Sequence, residues 1–264
     1  MVQAPASNIT KELAALAIDL IRQAGCEYGD IRICNYRHQR LAASDRSLNR
    51  LSDNVSSGFG VRVLLDGAWG FAASHQKTPA EIQRIVNLAI ATAKGSRLTQ
   101  QEPVKLVPVA AYQDKYVTPI KIDPFAVSIK EKAELLLEIN ERLLDYGDRG
   151  IKKASSFLSF TKEDKIFAST LGSLIEQTIY RSFPGMGCTA IVNGDAKGRS
   201  YDRAPLNIGY EHIDREDLLN NVDRIASEAI EKAYAPELEG DTNTTLILKP
   251  SNLFLTIHES VGHP

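Results

Sequence analysis

The sequence predicts an α+β fold built from duplicated helix–β-hairpin–helix units, in which antiparallel or mixed sheets pack against helices. Three observations lead to this prediction. Apolar residues recur with helical periodicity in both halves of the 264-residue chain, and alternating strand-like runs lie between the helical segments. Two Asx-Gly pairs, Asp66-Gly67 and Asn193-Gly194, each separate two strand-like runs, as in a β-hairpin. The order helix, strands, hairpin, helix occurs twice.

The first half is predicted to contain two helices that enclose a group of strands. Thr10 is the expected N-cap of the first helix and Gly25 its stop, while Pro79 suits the first turn of the second helix, which Gly95 should end. The predicted elements are a helix over Thr10–Ala24, extended structure with an internal turn over Ile31–Ala43, a short strand over Arg46–Ser52, a hairpin over Gly58–Ser74, and a helix over Thr78–Lys94.

The second half follows a connector that is rich in proline. The segment from Gly95 to Val127 contains four prolines and no clear periodicity, which is typical of an extended linker. Asp214 is the expected N-cap of the long helix near the end. The predicted elements are a helix over Ser128–Tyr146, strands over Ala154–Thr161, Ile166–Thr170 and Leu174–Phe183, a hairpin that starts with Gly187–Val192, a helix over Asp214–Tyr234, a strand over Thr244–Leu248, and a final helix from Pro250.

Short sequence patterns also repeat between the halves. Gly58-Phe59-Gly60 with Asp66-Gly67 has a counterpart in Gly185-Met186-Gly187 with Asn193-Gly194, at one constant offset. We interpret this repeat as an internal duplication of an α/β unit, and chance similarity of two common Asx-Gly hairpins is the alternative. A nucleotide-binding loop is disfavoured, because no third glycine lies at the required spacing and a strand follows. The predicted division is a first unit over 1–95, a connector over 96–127, a second unit over 128–240, and a strand and helix over 241–264 that lead into a C-terminal domain missing from this chain.

Composition argues against several functional classes. The net charge is −2 with well-mixed signs, which argues against a general nucleic-acid binder, and no apolar run is long enough to span a membrane. The N-terminal segment lacks the basic region of a signal peptide, and charged residues interrupt its apolar ones. The three cysteines show no CxxC spacing, which favours reduced thiols over a disulfide framework and gives none of them a metal-ligand signature. These features predict a cytoplasmic protein.

The segment from His258 to His263 carries the residue types of a hydrolytic zinc site. The imidazole nitrogens of His258 and His263 are suitable zinc ligands, and the Glu259 carboxylate can accept a proton from metal-bound water. The histidines are five residues apart, so an ideal helix would separate their directions by roughly 140°. A π-bulge would absorb the extra residue, and Gly262 would ease the distortion. The alternative is two unrelated histidines at a helix end, because short motifs match by chance.

The segment His258-Glu259-Ser260-Val261-Gly262-His263 resembles the HExxxH motif of the TldD/PmbA family of metallopeptidases, long described as modulators of DNA gyrase. Two further segments, Ser57–Val63 and Gly67–Ala72, resemble the glycine-rich hairpin near the N-terminus of that family. The matches lie about two hundred residues apart in the expected order. The duplicated α/β layout is also similar to the family's N-terminal domain. The chain corresponds to about the first half of a typical member.

The resemblance implies a set of roles. Members of the TldD-like branch keep the HExxxH motif, so His258 and His263 are implied zinc ligands and Glu259 the general base. The family's third ligand is a cysteine of the C-terminal half, which lies outside this chain, and no other cofactor is implied. The cysteines present here are not at matching positions: Cys26, Cys34 and Cys188.

The resemblance implies a zinc-dependent peptidase that acts on unfolded or short peptides, as a homodimer or as a heterodimer with a PmbA-like subunit, without direct binding of nucleic acid or membrane. One alternative is a non-catalytic regulatory or partner-binding module of the gyrase-modulator type. Another is an incomplete product without activity of its own. We expect the 264-residue chain alone to hold zinc weakly, because two protein ligands leave the site open. The apolar stretch Leu246–Leu255 is expected to be buried in a longer protein.

Overall fold

The computed structural model describes residues 8–237, 240 and 243–263, and the chain divides into two compact units, Met1–Ala233 and Tyr234–Pro264. In chain order the elements are α1 Asn8–Gln23, β1 Tyr28–Ser44, β2 Ser47–Leu65, β3 Ala68–Ser74, α2 Pro79–Arg97, β4 Gln113–Val117, α3 Ile129–Leu144, β5 Ile151–Ser169, β6 Leu174–Val192, β7 Asp195–Asp202, α4 Arg215–Asn220, α5 Val222–Tyr234 and α6 Pro250–Ile257, which continues as a π-helix over His258–Gly262. Short 3-10 helices lie at Gly147–Arg149 and Tyr210–His212.

All seven strands of the first unit form one sheet. Its order is β3-β2-β1-β5-β6, and both β4 and β7 pair with β6. Every pairing is antiparallel except that of β4 with β6, which is parallel. Two apolar clusters lie on one side of this sheet, under α1 and α2 in the first half and under α3 and α5 in the second. A mixed, mainly antiparallel sheet with packed helices is the fold class that the sequence predicted.

The two predicted hairpins are confirmed in detail. Asp66 and Gly67 have φ values of 49° and 71°, and Asn193 and Gly194 have values of 53° and 91°. Positive φ at both central residues is the mark of the turn whose twist matches a two-residue hairpin, and asparagine, aspartate and glycine adopt it most readily. These turns join β2 to β3 and β6 to β7.

The strands are longer than the sequence predicted. The turn expected within Ile31–Ala43 is absent, because β1 runs unbroken to Ser44 and the chain turns at Asp45 and Arg46. The predicted strand Arg46–Ser52 and the first arm of the hairpin are parts of β2. In the second half, the two strands predicted over 154–170 form the single strand β5, and the next two form β6. Polar residues interrupt the local pattern, but the hydrogen-bonded ladders continue through them.

The helix predictions differ from the structure mainly at the ends. Asp214 is confirmed as an N-cap, since its side chain accepts a hydrogen bond from the backbone N–H of Asp217. Ser128, the first residue of the helix predicted over Ser128–Tyr146, is the N-cap of α3 and accepts from the backbone N–H of Glu131. Thr10 is not an N-cap, because α1 already begins at Asn8, and Gly95 lies inside α2 rather than after it. The helix predicted over 214–234 is broken at Asn221 into α4 and α5.

Two further predictions concern irregular segments. The connector contains the strand β4, which the sequence did not indicate, and its residues are all exposed. No strand forms over 244–248, although the final helix starts at Pro250 as predicted. The predicted first unit starts at residue 1, but residues 1–7 lie outside the described ranges. The predicted boundary between residues 240 and 241 also borders on residues outside those ranges. Within those ranges, no helix has the length and apolar character needed to cross a membrane.

The two halves of the first unit have the same order of elements. Strand β2 begins at Ser47 and β6 at Leu174, 127 residues later, and both strands contain 19 residues. The hairpin turns are offset by the same number. Strands β1 and β5 lie side by side and antiparallel at the centre of the sheet, which is the relation that a two-fold axis between the halves would produce. This arrangement is consistent with the proposed duplication.

Candidate metal centre

The candidate metal-binding residues lie where α6 changes from an α-helix to a π-helix. Pro250 occupies the first turn of α6, where its missing N–H costs nothing, and the helix continues to Ile257. His258 to Gly262 then form one π-helical turn, and the backbone leaves the helix at His263, whose φ is −130°. Two histidines five residues apart need such a distortion to face one point, so the predicted π-bulge is confirmed.

The wider turn brings the two imidazole rings together. Nε2 of His258 lies 2.9 Å from Nε2 of His263. The ring centroids are 4.5 Å apart and the ring planes are inclined by 77°. In a regular α-helix, residues five positions apart would point in very different directions, so this contact depends on the extra residue in the turn.

The donor set suits zinc in type and approximate position. Two nitrogen ligands of a tetrahedral zinc, each at about 2.0–2.1 Å from the ion, are roughly 3.3 Å apart. The observed separation of 2.9 Å is close to that value, and it also suits a hydrogen bond in which one ring donates and the other accepts. His258, Glu259 and His263 are all exposed, so their heteroatoms are accessible from solution.

A third ligand is not found beside the two histidines. Among the residues that the structure describes, no group of three or more histidine, cysteine or acidic side chains could hold a metal ion. The cysteines belong to the first unit, and burial raises the pKa of all three thiols, that of Cys188 to about 11. These groups are therefore protonated near neutral pH, which disfavours metal binding.

The glycine in the motif is not needed to make space. A Cβ atom on Gly262 would lie 3.9 Å from Nδ1 of His258, which is an ordinary van der Waals distance, and the φ of Gly262 lies outside the left-handed region. The turn therefore does not depend on the conformational freedom of glycine. This differs from the sequence-based expectation that Gly262 eases the distortion.

Two of the three histidines outside the motif, His38 and His212, have local hydrogen-bond partners. His38 contacts Oγ1 of Thr161 at 3.1 Å, across the β1–β5 pair. His212 is buried and contacts the backbone oxygen of Ala204 at 2.9 Å, and burial lowers its pKa.

Sequence reasoning missed a buried lysine in the first unit. Lys132 on α3 is fully buried, and its ammonium group donates to the side-chain oxygen of Gln39 and to the backbone oxygen of Pro124, the latter at 2.6 Å. It also lies 4.7 Å from the centroid of the Phe160 ring. One signal was present in the sequence: Lys132 falls in the apolar stripe of its helix, four residues before Leu136.

Comparison with known protein families gives two matches along the chain. Residues 29–93 match a domain described as PmbA/TldA metallopeptidase domain 1. Residues 122–235 match a domain described as the PmbA/TldA metallopeptidase central domain. Together the two domains cover more than half of the chain, and domain 1 precedes the central domain.

Curated relatives are named as metalloproteases. A metalloprotease of Methanocaldococcus jannaschii is 30% identical over 238 residues, which is 90% of this chain and 51% of that protein. The metalloprotease TldD homolog of Haemophilus influenzae is 23% identical over 275 residues, with 97% of this chain and 53% of that protein covered. The chain thus spans about half the length of the curated relatives it matches.

Solved structures share the fold. A protein described as a modulator of a DNA gyrase from Thermotoga maritima aligns with a TM-score of 0.63 at 18% identity, over 84% of this chain and 48% of that chain. TldE from Thermococcus kodakarensis aligns with a TM-score of 0.54 at 12% identity, over 85% of this chain and 47% of that chain. At such identities the likeness concerns the fold.

Proposed function

Since the chain belongs to the PmbA/TldD family of metallopeptidases, we propose that it forms part of a zinc-dependent peptidase of the TldD type that hydrolyses unfolded or short peptides. The observation that supports this proposal best is the pair of imidazole nitrogens 2.9 Å apart on the π-helical turn. A TldD-like assignment rests on the HExxxH residues, which the family resemblance places in that branch.

Each residue of the motif has a proposed role. His258 and His263 would hold the zinc ion through their Nε2 atoms, which lie 2.9 Å apart. When bound, zinc polarises the scissile carbonyl group and makes a water molecule available as a nucleophile near neutral pH. Glu259 would serve as the general base, accepting a proton from the attacking water and passing it to the nitrogen of the departing amine. The exposure of Glu259 and the lack of a hydrogen-bond partner for it within the described residues leave its carboxylate free for this transfer.

The proposed site requires a ligand beyond the two histidines. We propose that this ligand lies outside the chain, in the C-terminal half of a longer protein, as the family resemblance implies. The lack of a group of three or more metal-binding side chains among the described residues is consistent with that proposal. A two-ligand site is expected to bind zinc with roughly micromolar affinity or weaker, whereas complete structural zinc sites bind far more tightly. The 264-residue chain alone is therefore expected to be inactive.

Zinc titration of the 264-residue chain against a chromogenic chelator tests the ligand assignment. His258→Ala and His263→Ala should each abolish the weak zinc binding, because one imidazole alone holds the ion poorly. The matched control is His75→Ala, a histidine of the first unit, which should bind zinc as the unchanged chain does. Equal zinc binding by all four proteins would contradict the assignment, and tight stoichiometric binding would show that a third ligand is present after all.

The catalytic role separates a peptidase from a regulatory module. In a full-length protein that contains this chain, Glu259→Gln should slow peptide cleavage about 100-fold or more while zinc content stays unchanged. A non-catalytic regulatory or partner-binding module would show no effect of this substitution on any cleavage. We further propose a homodimer or a heterodimer with a PmbA-like subunit, a proposal supported by the shared fold of TldE.

A further inference from the structure

The outer edges of the two long hairpin strands, β2 and β6, differ in whether another segment pairs with them. In the second half, strand β4 runs parallel to β6 and covers its outer edge from Leu174 to Thr178. Beyond β4, Thr118 donates its backbone N–H to the oxygen of Thr178 at 2.9 Å, and its Oγ1 accepts the N–H of Tyr180 at 3.1 Å. The outer edge of β6 is thus occupied by an extended segment of the connector.

The same edge is protected further along β6. Ser182 and Leu206 exchange two backbone hydrogen bonds, of 3.0 and 3.2 Å. The backbone groups of Thr178, Tyr180 and Ser182 therefore point away from β5 and towards the outer edge. These three residues mark the positions of the strand whose backbone N–H and C=O groups need hydrogen-bond partners at the outer edge.

The equivalent edge of β2 has no such partner. An offset of 127 residues takes Thr178, Tyr180 and Ser182 to Leu51, Asp53 and Val55. Strand β3 pairs with β2 only from Phe59 onwards, and over 47–58 no strand within 8–237, 240 or 243–263 pairs on the outer side. We name the segment Ser47–Val55 the open edge. Its outward backbone groups form a template for an added strand.

Side chains on the helix side of the open edge are apolar except for Asp53, whose carboxylate accepts hydrogen bonds from Arg37 and Gln39 of β1. Leu48 and Leu51 pair with Ala43 and Leu41 of β1, both of which are buried on that side of the sheet. Leu48 is 38% exposed, Leu51 53% and Val55 75%. An added strand with apolar side chains at every second position would cover this row.

Side chains on the opposite side of the sheet are basic near the open edge. Arg50 pairs with Ala42 of β1. Arg40 lies two residues before Ala42 on β1 and on the same face, and its guanidinium carbon is 5.2 Å from the centroid of the Phe157 ring. Neither arginine forms an ion pair within the described part of the chain. Glutamate or aspartate at the alternate positions of an added strand would complement these charges.

We propose that the open edge binds an extended peptide by strand addition, with apolar side chains of the peptide over Leu48, Leu51 and Val55 and acidic side chains beside Arg50. The pairing of β4 with β6 shows how a strand can add to an edge of this kind. The positive charges of Arg40 and Arg50 favour acidic side chains in the added strand. The site lies in the first unit and its binding reaction needs no metal, so it goes beyond the proposed peptidase chemistry.

A direct test uses a fluorescein-labelled octapeptide of alternating valine and glutamate. Fluorescence anisotropy with the 264-residue chain, in EDTA so that metal binding cannot contribute, should show saturable binding with a Kd below about 1 mM. Val55→Pro should weaken binding about tenfold or more, because it removes an edge-facing N–H. Proline there leaves the β1–β2 ladder intact, since that N–H points away from β1. Leu51→Lys, which places a charge in the apolar row, should have a similar effect.

Controls separate strand addition from non-specific peptide binding. Val107→Pro changes an equally exposed valine outside regular secondary structure and should bind the peptide as the unchanged chain does. An octapeptide of alternating valine and lysine should bind about tenfold more weakly. Absence of saturable binding, or unchanged binding by both Val55→Pro and Leu51→Lys, would overturn the proposal. A dimer of the chain that Val55→Pro dissociates, without peptide binding, would instead assign the open edge to a second copy and would equally overturn it.

Discussion

Replacing Lys132 by methionine is predicted to remove a pH dependence of stability that the buried ammonium group creates. Burial lowers the pKa of Lys132 from 10.5 to about 8, although the nearby Asp53 carboxylate opposes this shift. Below pH 8 the group is charged in both the folded and the unfolded protein, and the folded state carries the full cost of burying the charge. Between pH 8 and 10.5 the unfolded state holds the proton more tightly, so stability rises with pH in that window.

The size of this effect follows from the shift. A difference of roughly 2.5 pKa units corresponds to about 3 kcal/mol in the free energy of unfolding, of which most should be regained between pH 8 and 10.5. The charges around Lys132 are those of Arg37, Asp53, Asp123 and Glu131. Because Lys132→Met leaves these groups in place, a difference between the two chains that changes with pH is assigned to Lys132 itself.

Urea unfolding followed by the fluorescence of the single tryptophan, Trp69, measures this free energy at pH 7 to 10.5. The difference in stability between the unchanged chain and Lys132→Met should move by about 3 kcal/mol in favour of the unchanged chain as pH rises. Lys130→Met on the same helix is the control, because that ammonium group is exposed and should give a constant difference. A constant difference for Lys132→Met as well, or a change in the opposite direction, would show that the buried ammonium group does not create the pH dependence.

Three further substitutions test local features of the structure by the same urea assay. Gly70→Ala should lower the free energy of unfolding by about 3 kcal/mol, because its Cβ would lie 1.9 Å from the backbone oxygen of Ala89. Gly95→Ala should instead stabilise α2 by up to about 1 kcal/mol, because its Cβ would meet nothing within 4 Å. Equal effects of the two substitutions would contradict the packing of α2 on β3. Ser128→Ala should cost about 1 kcal/mol through loss of the N-cap of α3, and no change would show that the cap contributes nothing.

Local sequence signals predicted the hairpins and the N-cap Asp214 because those features depend on a few adjacent residues. Asx-Gly pairs have an intrinsic preference for positive φ, and Asp214 satisfies a backbone N–H group of its own helix. The same holds for the π-helical turn, since only that distortion lets histidines five residues apart face one point.

Features that depend on distant residues were missed. Strand β4 forms because β6 offers it an edge, and nothing in the residues Gln113–Val117 indicates alternation. The buried Lys132 is stabilised by Gln39 on β1, 93 positions earlier in the chain, which helical periodicity cannot reveal. Strand lengths were underestimated for the same reason, because β-ladders continue across polar residues wherever neighbouring strands supply partners.

X-ray absorption at the zinc edge tests whether His258 and His263 bind the metal together. In the zinc-loaded 264-residue chain, we predict two imidazole nitrogens at about 2.0–2.1 Å from the metal, with the remaining positions taken by oxygen. In His258→Ala, one of the two imidazole contributions should disappear. Zinc without imidazole ligands, or a coordination shell that His258→Ala leaves unchanged, would contradict the assignment of His258 and His263 as a metal-binding pair.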